Sequence, residues 1–354
     1  MTPDPPALIG SVAPALCLTD RNETAPVSDQ AISDQKEAVK DVQFRLPPDE
    51  AAKITRDTAL LSTGVALLLV VLKSGAWILS GSIAMLSSFA DSALDLAASL
   101  VTYFAVRYAA TPPDSKHRFG HGKAEAFAGI FQAGLVAVSA VLIVIEAVTH
   151  LINPVPVAYG GLNLVVMAIS IALTGLLVTA QSRAIRKTGS VATKGDRIHY
   201  FADLTANFAT MAGIAVAYYL GWTWADAAAG ILIAIWLAIG ARQVARAAAD
   251  HLMDREMPDA DRARVKALAL NDPRLLSVHD LRTRFAGPYI HIQFHAALDP
   301  DLTLEAAHDI IVDAEARIRT EFPAADVIIH PDPQDRSQPH GLEHFGELAS
   351  RRTV

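Results

Sequence analysis

Six stretches of this sequence are long and apolar enough to cross a lipid bilayer, and they constrain the fold more than any other feature. They lie near residues 57–79, 82–108, 124–151, 160–183, 197–220 and 224–247. Crossing ~30 Å of hydrocarbon takes roughly 20 helical residues. A segment in that solvent must also satisfy its own backbone hydrogen bonds, which favours helices. Turn-forming residues separate the stretches: Ser80-Gly81-Ser82, Thr111 to Asp114, Asn153 to Pro156, Lys187 to Ser190, and Leu220 to Trp222. Composition agrees, with 52% hydrophobic and 19% charged residues and a mean hydropathy of +0.29. The expectation is a polytopic α-helical membrane protein with six transmembrane helices over 51–250.

Orientation follows from the basic loops. Lys116, Arg118 and Lys123 fall between spans two and three. Arg183, Arg186, Lys187, Lys194 and Arg197 fall around the connection between spans four and five, and Arg242, Arg246 and Arg255 cluster around the end of span six. The other connections carry no Lys or Arg. Basic loops stay in the cytoplasm, so both termini are expected there. No basic-then-apolar leader opens the chain.

The flanks read differently. Residues 1–50 are mostly rich in Pro, Ser, Asp and Gln and read as a disordered cytoplasmic tail. After span six, helix-like and strand-like patterns alternate in the order αββαβ over 251–333. That order predicts a small cytoplasmic α+β domain close to a ferredoxin-like motif. Residues 334–354 read as a flexible tail.

Several activities have no footing. The net charge of −7 gives no reason to expect nucleic acid as a partner. The single cysteine, Cys17, excludes a Cys-based zinc cluster. Neither a phosphate-binding Gly-rich loop for ATP nor a His-Glu-x-x-His metalloprotease motif occurs, so no enzymatic role is expected.

The ionisable residues inside the apolar spans carry the chemistry. Asp91 and Asp95 are four apart in span two, and His199 and Asp203 are four apart in span five. That spacing puts each pair on one helix face, with Cβ atoms about 6 Å apart. Three carboxylates and one imidazole on facing helices can close a tetrahedron around a divalent metal. The alternative is helix-to-helix hydrogen bonding by protonated acids. A second group, Asp114, His117 and His121, sits in a polar loop beside Gly120 and Gly122, where metal binding competes with simple solvation. A third set lies in the soluble domain: His279, His291, His295, His308 and His330, with Asp332 just after the last.

These motifs together resemble the cation diffusion facilitators. The resemblance rests on "ADSALDL", "RFGHGKAEAFA", "HYFAD" and "HDLRTR…GP…HIQFH…DVIIHPDP", and covers about residues 50–333. It implies a homodimeric, multi-pass protein of a bacterial inner membrane that exports divalent metal in exchange for protons. Asp91, Asp95, His199 and Asp203 match the transport site. Asp114, His117 and His121 match a loop metal site, and His279, His295, His308, His330 and Asp332 a cytoplasmic binuclear site. Lys123 and Asp254 match a charged pair tying the membrane part to the soluble domain at the dimer interface. His291 matches no ligand and is left as a surface residue. The cargo expected is Zn2+, with Cd2+, Fe2+, Co2+, Ni2+ or Mn2+ as further candidates; His199 disfavours Mn2+. His199 is the expected proton carrier, with Asp95 sharing the task. A membrane-anchored metal sensor and a metal-selective channel are the competing readings.

Overall fold

The computed structural model describes residues 46–80, 83–152, 161–220 and 225–336. The expected tails therefore fall almost wholly outside the described residues. The first described helix nevertheless begins at Pro48, where a fixed proline φ and the acids Asp49 and Glu50 suit a helix N-terminus.

Among the described residues, six long helices come first: α1 (Pro48–Ser80), α2 (Ile83–Ala109), α3 (Ala124–Ile152), α4 (Gly161–Thr188), α5 (Val191–Leu220) and α6 (Ala225–Leu252). Among the described residues, all but α5 are long and apolar enough to cross a membrane. The first half of α5 is interrupted by Lys194, Asp196, Arg197, His199 and Asp203. Several helices outrun the apolar spans at one end: α1 starts nine residues early, α5 starts six early, and α4 and α6 each continue five further. The overhangs carry Arg56, Arg186, Lys187 and Lys194. Hydropathy marks only the part suited to hydrocarbon, whereas the backbone hydrogen bonding of a helix continues into water.

Packing in the helical domain puts small residues inside and large ones outside. Ala66, Ala98, Ala128, Ala140, Ala234 and Ala248 are buried, while Leu67, Ile78, Phe104, Phe127, Leu142 and Leu176 are exposed. That inversion suits a lipid solvent, where close backbone approach rather than hydrophobic burial holds helices together. α1 packs along α2, and α3 along α6, with α5 against both α3 and α6.

The remaining elements are α7 (Asp259–Ala269), β1 (Ser277–Ala286), β2 (Tyr289–Leu298), α8 (Leu304–Glu321) and β3 (Ala325–Pro333), in the expected αββαβ order. The sheet order is β1-β2-β3, with β1/β2 antiparallel and β2/β3 parallel. Alternation sends Ile290, Ile292 and Phe294 of β2 into the core. They meet Ile310, Ile311, Ala314 and Ile318 from the apolar stripe of α8, and Val265 and Ala269 from α7. Thr303 caps α8 by accepting the Ala306 N–H at 3.2 Å. β3 runs past the expected "DVIIH" to Pro333. As an edge strand it tolerates prolines that donate nothing to a ladder, and the extension sets Asp332 beside β2.

Candidate metal centres

Three clusters of nitrogen and oxygen donors form among the described residues. In each, one ligand atom from every member lies within 4.8 Å of the others.

The first lies between α2 and α5. His199 Nε2 is 3.0 Å from Asp95 Oδ1 and 4.0 Å from Asp203 Oδ2. His199 is 6% exposed, and Asp203 Oδ2 is buried with no hydrogen-bond partner among the described residues. A buried carboxylate oxygen without a partner is costly, and a bound cation would satisfy it. Asp91 stands outside this triad. It lies one turn before Asp95 on α2, exposed, close enough to Asp95 and Lys73 for each to act on it electrostatically.

Sequence reasoning missed Lys73, which is 8% exposed on α1 and lies in the field of Asp95, Asp203 and Asp91. The signal was available: it is the cation within the apolar run "ALLLVVLKSGAW", and ionisable residues inside a span are rarely incidental. Its positive charge offsets part of the repulsion among three carboxylates.

The second cluster is the loop between α2 and α3. His121 Nε2 lies 3.2 Å from His117 Nδ1 and 3.4 Å from Asp114 Oδ2. Asp114 Oδ1 accepts the backbone N–H groups of Lys116 and His117 at 2.8 and 2.6 Å. Those donors hold its carboxyl down at about 2, so it is an anion at every ordinary pH. His121 Nδ1 faces the Thr111 carbonyl at 3.4 Å, which leaves Nε2 directed into the cluster. Gly120, at φ +79°, makes the bend between the two histidines.

The third cluster follows from sheet register. His279 pairs with His295 across β1 and β2, and His295 with His330 across β2 and β3. Three imidazoles thus line one row, with ring centres 5.3 and 4.8 Å apart. Asp332 Oδ2 lies 3.1 Å from His279 Nε2 and 2.9 Å from His295 Nδ1, and its Oδ1 lies 3.4 Å from His330 Nε2. His308 is not among them; it stands on the exposed face of α8.

His291 is not a surface residue, as the sequence alone implied. It is 7% exposed, with Nδ1 3.2 Å from Asp326 Oδ2 and its ring edge-on to Phe119 of the loop. Alternation placed it on the correct strand face, but that face is covered by the loop. Arg284 stacks over Phe119 at 4.2 Å. Lys123 Nζ bonds Asp254 Oδ1 at 2.9 Å and donates to the Leu252 carbonyl at 3.3 Å. The expected charged pair therefore forms within one chain.

Burial lowers the His291 imidazole below its ordinary value, more than the Asp326 carboxylate raises it. The unfolded chain then binds more protons than the folded one. The contribution is complete above the ordinary histidine value of about 6.5 and is lost as pH falls through it toward the folded value. Taking the metal-free protein from about pH 7.5 to about pH 5.5 should lower its melting temperature. The fall should be smaller in His291→Gln; an equal fall would show that His291 does not contribute.

Comparison with known proteins places these features. Residues 59–253 match the cation efflux transmembrane domain. Residues 257–334 match the cytoplasmic domain of cation efflux proteins. A cation-efflux pump, FieF, from Shewanella oneidensis is 41% identical over 272 residues, covering 77% of this chain and 92% of its own. FieF from Citrobacter koseri is 37% identical over 281 residues, covering 79% and 93%. A solved structure, CzrB in its zinc form, is 30% identical and covers 24% of this chain and 99% of its own, with a TM-score of 0.23.

Proposed function

The chain belongs to the cation efflux family, and on that premise we propose that it exports divalent transition-metal cations from the cytoplasm in exchange for protons. One observation carries the reading. Asp95, His199 and the unpartnered Asp203 converge between two helices of the membrane domain. Asp91, on the same face of α2, is assigned as the fourth ligand.

Zinc is the proposed cargo. An imidazole with carboxylates suits Zn2+, and the same donors accept Cd2+, Fe2+, Co2+ and Ni2+. Mn2+ favours oxygen donors and is the weakest candidate. Metal binds only to deprotonated ligands, so loading from one side displaces protons and unloading on the other recovers them. His199 and Asp95, already in contact, are assigned to carry them. Exposing the centre to each side in turn completes the cycle.

The loop cluster and the soluble cluster are assigned as regulatory metal sites, with His308 as a further ligand of the latter. The soluble domain is assigned as the surface on which two copies pair. Lys123 and Asp254 hold that domain to the helices, so its state reaches the membrane centre.

A metal panel tests the proposal. Purified protein in vesicles, under a fixed pH gradient, should take up Zn2+ and Cd2+ faster than Mn2+. Equal rates for all three would contradict the ligand argument, and uptake of none would contradict export.

A further inference from the structure

Three residues before His199, α5 carries another acid that the metal centre does not use. Asp196 is 1% exposed. Its Oδ1 accepts from Gln132 Nε2 on α3 at 3.3 Å, and its Oδ2 from Gln181 Nε2 on α4 at 2.8 Å. The hydroxyls of Ser62 on α1 and Ser99 on α2 lie against the same carboxylate. Four other helices thus converge on one carboxyl group.

The two glutamines are fully buried, and their Oε1 atoms have no partner among the described residues. An amide has two faces. Its NH2 donates to a carboxylate; turned over, its carbonyl accepts from a carboxylic O–H. Gln132 Nε2 also donates to the Ala98 carbonyl at 3.2 Å and Thr102 Oγ1 at 2.9 Å, and Gln181 Nε2 to Ser62 Oγ at 3.0 Å, so an amide that turns its carbonyl to a protonated Asp196 exchanges those bonds for the new one.

Its location fits that chemistry. Asp196 lies one helical turn from His199, toward the N-terminus of α5. That end packs Val191 against Ala126 and Ala248. With Ser190 it lines a small cavity that also includes Gly287 and Pro288 of the soluble domain. Asp196 is therefore placed between the metal centre and the soluble-domain end of the helices. The ionisable groups in its field are His199 and Tyr200 on its own helix, with Asp95 of α2 behind His199. From α1, α3 and α4 it meets hydroxyl and amide groups.

We propose that Asp196 is the proton-holding residue of the exchange, taking the proton that metal displaces from His199 or Asp95 and passing it to water at the soluble-domain end. The inference rests on the metal–proton exchange proposed above. As a metal bond forms at His199 or Asp95, the N–H or O–H bond there breaks. The Asp196 carboxylate takes that proton, and one glutamine turns its carbonyl to the new O–H. Release to water restores the carboxylate and the original amide orientation.

The experiment compares wild type with Asp196→Asn in vesicles that report internal zinc and internal pH together. Equilibrium zinc binding is measured alongside. The variant should bind zinc at the membrane centre within about threefold of wild type, while its uptake rate falls at least about tenfold and the midpoint of its pH dependence moves. An unchanged rate with an unchanged pH profile overturns the proposal. So does loss of zinc binding, which would make Asp196 a ligand or a structural residue. If the variant does not fold, Gln132→Leu and Gln181→Leu each keep the acid and remove one amide. Each should displace the pH midpoint of uptake by at least about threefold in proton concentration, and an unmoved midpoint in both overturns the proposal. Should wild type itself move zinc with no proton counter-flow, the exchange reading fails and this inference fails with it.

Discussion

Asp95→Ala should bring zinc uptake into vesicles down to the leak of protein-free vesicles, a loss of more than about 100-fold. Altering the outer partners of a metal ligand already costs about 10–100-fold, and Asp95 is assigned as a ligand itself. The substitution also removes the acceptor 3.0 Å from His199 Nε2, leaving a buried ring nitrogen at a cost of about 1–3 kcal/mol. Asp95→Asn separates the two effects. It keeps an oxygen beside His199 and removes the charge, so the protein should stay folded while transport remains severely reduced. Full transport in Asp95→Ala would remove the centre from the mechanism.

Gly122→Ala should separate the loop from the soluble domain. A Cβ at Gly122 would stand 2.0 Å from the Ala286 carbonyl oxygen and 2.7 Å from the Gly287 nitrogen. Both are backbone atoms of the β1–β2 turn and cannot turn aside as a side chain could. The loop and the sheet must separate, at a cost of about 1–3 kcal/mol for the overpacking. Separation also strains the Arg284–Phe119 stack, worth about 0.5–1 kcal/mol at an exposed site, and the Lys123–Asp254 pair. The variant should melt lower and be cut sooner by protease at residues 253–258. Gly64→Ala is the control. Its Cβ would have nothing within 4 Å, and alanine is the better helix former by up to about 1 kcal/mol. Equal behaviour of the two variants would show that the loop does not depend on this contact.

The helices were legible because hydrocarbon imposes a length and a composition that few other environments require. Their ends were not, since Arg186, Lys187 and Lys194 sit in helix that has left the apolar zone. The spacing of Asp91 with Asp95, and of His199 with Asp203, put each pair on one helix face. Which carboxylates meet the imidazole depends on how α2 and α5 pack, and there Asp95 and Asp203 come close while Asp91 stays a turn away. Asp196 and its glutamines lay beyond sequence reasoning because their partners come from four other helices.

The soluble domain shows the same division. Alternation along β2 separated Ile290, Ile292 and Phe294 from His291 and His295, and the register then brought His279, His295 and His330 into one row. Pattern alone could not show that a loop over a hundred residues earlier covers His291.

The most direct test of the central claim follows zinc and protons at once. Vesicles containing the purified protein, a zinc dye and a pH dye are given zinc outside with no initial pH gradient. Zinc entry should be accompanied by proton exit in a fixed ratio, and both signals should vanish together in Asp95→Ala. Zinc entry with no change in internal pH, once the membrane potential is clamped, would contradict exchange at this centre.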